Sequence, residues 1–244
     1  MSKQLINRDE LELQLQAEVM PKIKTLLDGA TVGRFLRVAH SYISGDKKIA
    51  ACSRESQFKA LLKCAETGMM PNGEDAALVP YGTNATFMPM KAGYVRSLMS
   101  TDKYDFVDAF AVYEKDFFTF YIDSDKGKYF KYEPCLDNVR GEIKGGFAFA
   151  KDKRGFYRLE WMNKEQLDRR KNAAETKNVW NKWPERMVEK TVIKALCKKM
   201  LTEIPPKLNL AIKMEDSAAA TKLPQENKKF EKAIDAEAVE KEVI

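Results

Sequence analysis

Residues 180–201 carry two stripes of different chemistry that together predict an amphipathic helix. Pro184 favours a helix start at or just before it, because a first-turn amide has no intrahelical acceptor and proline has no amide hydrogen. Apolar side chains then recur every four residues, at Val188, Val192 and Leu196, which places them on one side of the helix. Cations recur with the same spacing on the other side: Lys182, Arg186, Lys190, Lys194 and Lys198. This cation ladder is either an ordinary solvated face or a surface for phosphate groups.

Comparable patterns predict helices and hairpins in the preceding part of the chain. Helical spacing predicts helices over residues 8–27, 31–43, 53–68 and 93–99. Thr31 is the expected cap of the second helix, and Ser53 with Gln57 has the spacing of a capping box in the third. Apolar or alternating runs predict strands over residues 76–81, 86–90, 106–113, 117–122, 128–133, 142–150 and 156–162.

These elements predict an α+β fold with a helical N-terminal region, a central antiparallel sheet with hairpins and a C-terminal basic amphipathic helix. A meander is the simplest order for the strands over residues 106–113, 117–122 and 128–133, and the strands over 142–150 and 156–162 form a further hairpin. We expect an N-terminal helical segment over residues 1–30 and a core domain over residues 31–206. Beyond Pro205 and Pro206 the chain is rich in Lys, Glu and Ala, which predicts a flexible or weakly helical acidic tail over residues 207–244.

The distribution of charge favours a polyanionic partner. Hydrophobic residues make up 44% of the chain and charged residues 32%, as in soluble globular proteins. The net charge is +6, but the last 30 residues carry −3, which leaves +9 on the first 214. A basic body favours nucleic acid over a membrane as its partner. No signal peptide and no run of about 18 apolar residues is found, so we expect a cytoplasmic protein that does not bind membranes.

The sequence offers little catalytic chemistry. His40 is the single histidine, the four cysteines form no CxxC pair, and no phosphate-binding loop of the GxxxxGK[ST] type is present. We therefore expect no enzyme activity, metal or cofactor. A metal-dependent nuclease is the remaining catalytic alternative, and solvated charges are the favoured interpretation of its candidate ligands: Asp102, Asp105, Asp108, Glu114 and Asp116.

Cations and aromatic residues alternate in two places, as single-strand binding requires. Phosphates pair with the cations, while bases stack on the aromatic rings without being read for sequence. The first place is the predicted hairpin tip, with Lys151, Lys153, Arg154 and Arg158 beside Phe156 and Tyr157. The second is the start of the amphipathic helix, where Trp180 and Trp183 accompany the cation ladder. Core packing is the alternative for each tryptophan.

Four passages in order resemble the phage RecT/Redβ family of single-strand annealing recombinases. They read QFKALLKCAETGMMPNGEDAALVPYG, TFMPMKAGYVRSLM, GGFAFAKDKRGFYRLEWMNKEQL and WNKWPERMVEKTVIKALCKKML. The resemblance covers residues 31–205. It departs from the family pattern at Met90-Lys91-Ala92-Gly93, where the family often has a glycine, an aromatic residue, a basic residue and a glycine.

The resemblance implies ATP-independent annealing of complementary single strands by a homo-oligomer, either a ring or a helical filament, in a bacterial host cell. Single-stranded DNA and annealed duplex are the implied ligands, and a phage exonuclease and the host single-strand-binding protein the implied partners. The predicted DNA-binding residues are Lys91, Tyr94, Arg96, Lys151, Lys153, Arg154, Arg158, Trp180, Lys182, Trp183, Arg186, Lys190 and Lys194. A single-strand-binding replication-accessory or protection protein without annealing activity is the alternative. We expect charge reversal at Lys190 and Lys194 to impair annealing without disturbing the fold.

Overall fold

The structure is a computed structural model that describes residues 8–123, 127–174 and 178–220. Its helices are α1 (Arg8–Gln14), α2 (Met20–Ile23), α3 (Gly29–Gly45), α4 (Lys47–Ala50), α5 (Arg54–Thr67), α6 (Lys91–Met99), α7 (Lys164–Ala173), α8 (Asn178–Lys182), α9 (Pro184–Lys199) and α10 (Pro206–Ala220). Its strands are β1 (Ala76–Tyr81), β2 (Asn84–Pro89), β3 (Tyr104–Tyr113), β4 (Phe117–Asp123), β5 (Gly127–Glu133), β6 (Ile143–Asp152) and β7 (Tyr157–Asn163). The predicted α+β class is confirmed.

The N-terminal helices follow the predicted apolar spacing. Leu11, Leu15 and Val19 are buried in the main core, together with Ile23 one turn later. A π-helical segment, Leu15–Val19, joins α1 to α2 just before Pro21. A proline ring clashes with the carbonyl four residues earlier in an α-helix, and a wider π turn relieves that clash. The N-terminal segment is therefore one distorted helix packed on the rest of the fold.

One predicted helix cap and one predicted capping box differ from the structure. Asp28, not Thr31, caps α3, because its carboxylate accepts hydrogen bonds from the Thr31 amide at 2.9 Å and hydroxyl at 2.7 Å. Ser53 does cap α5, but Gln57 lies one position too late to complete a capping box. Its side-chain amide is buried and instead donates to the carbonyl oxygens of Ile49 and Cys52.

The strands form two antiparallel sheets, and the meander expected for the later strands is wrong. β1 and β2 form a separate hairpin, while the five-stranded sheet has the order β3-β6-β7-β5-β4. Small side chains of β3 and β6, such as Ala109, Ala111 and Ala148, are fully or almost fully buried on the face covered by α9. These small side chains let α9 lie close to the β3–β6 pair.

The opposite face of this sheet is covered by its own β4–β5 hairpin. β5 meets β7 at the single pair Lys128 and Tyr157, which leaves the hairpin free to lie over the sheet. The ring of Phe118 stacks on Phe147 and on Trp161, with centroid distances of 4.6 Å in both cases. Both sheet faces are therefore apolar, one toward the helices and one toward an aromatic cluster.

α10 begins at Pro206, where the sequence predicts the start of a flexible or weakly helical tail. Leu208, Ala211 and Ile212 are at most 2% exposed and belong to the main core. The folded core thus continues past residue 206, while residues 221–244 of the predicted tail lie outside the described residues. None of the described helices has both the length and the hydropathy needed to cross a bilayer.

Candidate nucleic-acid interface

Helix α9 is fixed by its apolar side, as its pattern predicts. Trp183 is the residue before the helix, Pro184 opens it, and Val188, Val192 and Leu196 are buried. Val188 faces Gly146 of β6, where any Cβ atom would overlap the Val188 side chain. A glycine at this point lets the helix approach the sheet closely, so α9 is held rigidly beside β3 and β6.

The first two steps of the cation ladder are exposed and enclose an exposed tryptophan. Trp183 is 47% exposed to solvent. No ion pair is found for Lys182 or Arg186 in the described part of the chain. Lys182 Nζ lies 5.6 Å and Arg186 Cζ 4.9 Å from the Trp183 ring. We call these three residues the Trp183 cluster. It combines free cations with a stacking surface.

The next three steps, Lys190, Lys194 and Lys198, are paired with acidic residues of α10, and we call them the covered row. α10 buries Lys190 and most of Lys194, whereas the Lys198 side chain is still 45% exposed. Lys190 Nζ lies 3.0 Å from Glu215, and Lys194 Nζ lies 2.9 Å from both Glu215 and Asp216. Lys198 Nζ completes the row at 2.7 Å from Asp216. Lys190 is only 6% exposed. Charge reversal at Lys190 would bury a carboxylate against Glu215, so the structure favours a destabilised fold in that variant over the undisturbed fold expected from the sequence.

Burial and ion pairing shift the protonation equilibria beneath α10 in opposite directions. Burial lowers the pKa of Lys190, against the opposing effect of Glu215. Burial would raise the pKa of Glu215, but the ammonium groups of Lys190 and Lys194 outweigh it and lower that pKa to about 2. Burial raises the pKa of Tyr94, and the negative charge of Glu215 raises it further. The Tyr94 hydroxyl donates a hydrogen bond to Glu215 at 2.7 Å. Glu215 is therefore ionised at neutral pH and Tyr94 is a hydrogen-bond donor.

A basic groove of about 440 Å³ lies at the tip of the β6–β7 hairpin. We call it the turn groove, and its walls are Lys103, Tyr104, Asp152, Lys153, Arg154, Arg158 and Glu203. Lys103 was missed at the sequence level, because its position depends on the pairing of Tyr104 with Asp152. The backbone amide of Lys153 donates to the Lys103 carbonyl at 3.1 Å. The structure thus adds one cation to the three that the hairpin sequence predicts here.

The predicted cations of the turn groove form solvent-facing ion pairs within the chain. Lys153 lies 2.6 Å from Asp102, Arg154 lies 3.2 Å from Asp152, and Arg158 lies 3.1 Å from Glu203. Exposed ion pairs of this kind contribute only about 0–1 kcal/mol, so they exchange readily for phosphate.

Aromatic rings accompany these cations at the hairpin tip. Phe156 is 46% exposed, with Arg154 Cζ 5.6 Å from its ring centroid. Lys151 Nζ lies 5.7 Å from the Tyr157 ring, which packs edge-on against Phe130 of the aromatic cluster. Of these two rings, Phe156 is the one with an open surface for a base.

Four other predicted residues have structural partners. Tyr94 and Trp180 are buried in the main core, so their rings offer no surface to a base in this conformation. Lys91 Nζ lies 2.8 Å from Asp108 and 3.2 Å from Glu189, and donates to the Ala109 carbonyl, which ties α6 to β3 and α9. Arg96 is largely exposed and contacts the buried Asp75 at 3.1 Å.

The acidic residues considered as nuclease ligands are dispersed. Asp102 and Asp108 pair with the lysines named above, and Asp116 is buried beside Arg140. Within residues 8–123, 127–174 and 178–220, no group of three or more His, Cys, Asp or Glu side chains is placed to hold a metal ion.

The Trp183 cluster and the turn groove lie toward opposite ends of α9. The cluster surrounds its first turn, whereas Glu203, just beyond its C-terminus, forms part of the groove. A model of the RecT family matches residues 33–229, which include most of the described elements. The chain belongs to the RecT family. The resemblance seen in the sequence is therefore confirmed. A separate comparison with curated proteins gives no match.

Membership of the RecT family associates the protein with single-strand annealing in recombination. RecT proteins anneal strands and are not catalysts of bond chemistry in the usual sense. The match extends past residue 206, so it includes α10 as well as the sheet and α9. The helix that covers the cation ladder thus lies within the region matched by the RecT family.

Proposed function

We propose that this protein binds single-stranded DNA and anneals complementary strands without ATP. The observation that carries the proposal is the pair of exposed cation and aromatic groups at the two ends of α9: the Trp183 cluster and the turn groove. The phosphate backbone would contact the cations, and bases would stack on Trp183 and Phe156.

The length of α9 sets the scale of the bound strand. Its 16 residues, at about 1.5 Å each, span about 24 Å, or about seven nucleotides at about 3.4 Å per nucleotide. A strand of that length would reach from the Trp183 cluster to the turn groove. Shorter strands would contact one of the two groups only.

Annealing would follow from templating rather than from bond chemistry. The cations hold the backbone of one strand extended, and the bases that are not stacked stay available to a complementary strand. A homo-oligomer, as a ring or a filament, would align many such strand segments. A phage exonuclease and the host single-strand-binding protein are the proposed partners, and the cytoplasm of a bacterial host is the proposed location.

Mixing the protein with two complementary oligonucleotides tests the proposal against its alternative. An annealing protein accelerates duplex formation, whereas a single-strand protection or replication-accessory protein slows it. Binding should also weaken steeply with salt, by a slope of about 0.7 in log affinity per phosphate contacted. A flat salt response contradicts a phosphate-based interface.

The variant that tests the Trp183 cluster carries Lys182→Glu and Arg186→Glu, which reverse the charge of the two exposed cations of the ladder. We expect affinity for an oligo-dT strand to fall by about tenfold or more at low salt, with the fold retained. The control is Lys22→Glu with Lys24→Glu, an equal change of charge at two exposed positions on and beside α2. Equal losses in both variants would indicate a general effect of net charge and would contradict the site.

A further inference from the structure

The covered row meets its acidic partners in a regular arrangement. Lys190, Lys194 and Lys198 are separated by one helical turn each, and the adjacent Glu215 and Asp216 bridge them in sequence. Each ammonium group lies 2.7–3.0 Å from a carboxylate oxygen. Two neighbouring anions thus bind three successive lysines, which is also how successive phosphates of a DNA strand would bind a row of cations.

The two halves of α10 are held by different interactions. The first half is anchored by Leu208, Ala211 and Ile212, which are at most 2% exposed. Beyond Ile212, Met214 is partly buried against the main core, and the Tyr94 hydroxyl donates to Glu215 at 2.7 Å. The other contacts of this half with α9 are the ion pairs of Glu215 and Asp216. The second half can therefore leave α9 while the apolar anchor stays in place.

We propose that the covered row is a third phosphate-binding surface, and that single-stranded DNA displaces the second half of α10 to reach it. This inference rests on the proposed function, because it extends the same strand path. The row lies on α9 between the Trp183 cluster and the turn groove. With α10 lifted, the row offers three further cations at axial positions between the other two groups.

The exchange conserves the pairing of the lysines. Each carboxylate that leaves an ammonium group is replaced by a phosphate oxygen, so no lysine of the row is left buried without an anion. The released carboxylates enter water, where they are fully solvated. Strand binding therefore costs the contacts of the second half of α10, and it gains up to three phosphate contacts.

Asp216→Asn tests the inference at the more exposed of the two carboxylates, whose side chain is 41% exposed. The variant loosens α10 from Lys194 and Lys198 without leaving a fully buried charge unpaired. We expect oligo-dT to bind up to about fivefold tighter at low salt, as the loss of a part-exposed ion pair permits. Glu165→Gln is the control, because it removes the same charge from an exposed pair on α7. Equal affinities for Asp216→Asn and Glu165→Gln would overturn the inference.

Hydrogen exchange of the wild-type protein gives a second readout that does not depend on a variant. On addition of oligo-dT, we expect the amides of residues 213–220 to exchange faster, while those of residues 208–212 stay protected. Unchanged or slower exchange over residues 213–220 in a DNA-bound sample would overturn the inference and leave the proposed function standing. An absence of oligo-dT binding by the wild-type protein would instead overturn both.

Discussion

Arg140 binds Asp116 through two nitrogens, with Nε 3.1 Å from Oδ1 and Nη2 2.6 Å from Oδ2. The Asp116 side chain is fully buried and also accepts hydrogen bonds from the backbone amides of Tyr113 and Cys135. Burial would raise the pKa of Asp116, but these hydrogen bonds and Arg140 lower it. One carboxylate thus ties the β3–β4 turn to the segment that joins β5 to β6.

Asp116→Asn should therefore destabilise the protein, because it removes a fully buried carboxylate that is the charge partner of the partly exposed Arg140 guanidinium. We expect the free energy of unfolding to fall by about 3 kcal/mol, the lower end of the cost of breaking a buried ion pair. Chemical denaturation measures this value. Asp105→Asn is the control, because Asp105 is an exposed residue of β3. It should change the free energy of unfolding by less than about 0.5 kcal/mol. Similar losses in both variants would contradict the structural role of Asp116.

Gly93→Ala should also be destabilising, for a steric reason. A Cβ atom at Gly93 in α6 would overlap the carbonyl oxygen of Asp75, a backbone atom that already accepts a hydrogen bond from the Met90 amide. We expect a loss of about 1–3 kcal/mol in unfolding free energy. Gly33→Ala in α3 is the matched control, since its Cβ would contact only Arg37 at 3.7 Å. Alanine is the better helix former, so Gly33→Ala should stabilise by about 0.5–1 kcal/mol. A neutral Gly93→Ala would contradict the close approach of α6 to Asp75.

Local patterns in the sequence were sufficient to predict most elements of this fold. The four-residue spacing of Val188, Val192 and Leu196 located α9 and its buried side, and Pro184 located its start within one residue. These features depend on residues close in the chain. The sequence does not reveal that the packed core continues past Pro206, because Pro205 and Pro206 are as compatible with the start of a helix as with the end of a domain.

The order of the strands, and the burial and pairing of the ladder cations, depend on residues far apart in the chain. The turn groove needs β3 to pair with β6 at Tyr104 and Asp152, which are 48 positions apart, and alternation within a strand does not reveal that contact. Lys190 has the helical position of an exposed cation, but its partner Glu215 follows 25 residues later on α10. The sequence could therefore predict the cations, while only the packing of α10 shows which of them are covered.

Stability should fall in acid partly through Glu215. Its pKa is about 2 in the folded protein against an ordinary value of 4.5, so the native state favours the ionised form. The stability that this difference contributes is fully present above pH 4.5 and is lost as the pH falls toward 2. We expect the wild-type unfolding free energy to decrease over that window. Glu215→Gln should be less stable at pH 7, by about 3 kcal/mol, and should show a shallower loss in acid. An identical pH dependence in both proteins would contradict the charged pairing of Glu215.

Trp183→Ala should weaken binding of single-stranded DNA without disturbing the fold, because nearly half of the indole is exposed between Lys182 and Arg186. A stacked base contributes about 1–3 kcal/mol, so we expect affinity for oligo-dT to fall by about fivefold or more. Fluorescence anisotropy measures the affinity, and thermal unfolding checks the fold. Phe106→Ala is the control, an aromatic residue of β3 that is 66% exposed and has no cation over its ring among the described contacts. Trp183→Phe should recover part of the lost affinity, since a smaller ring still stacks. Wild-type affinity in Trp183→Ala would show that the bases stack elsewhere, and it would leave the exposed cations as the sole contribution of the Trp183 cluster.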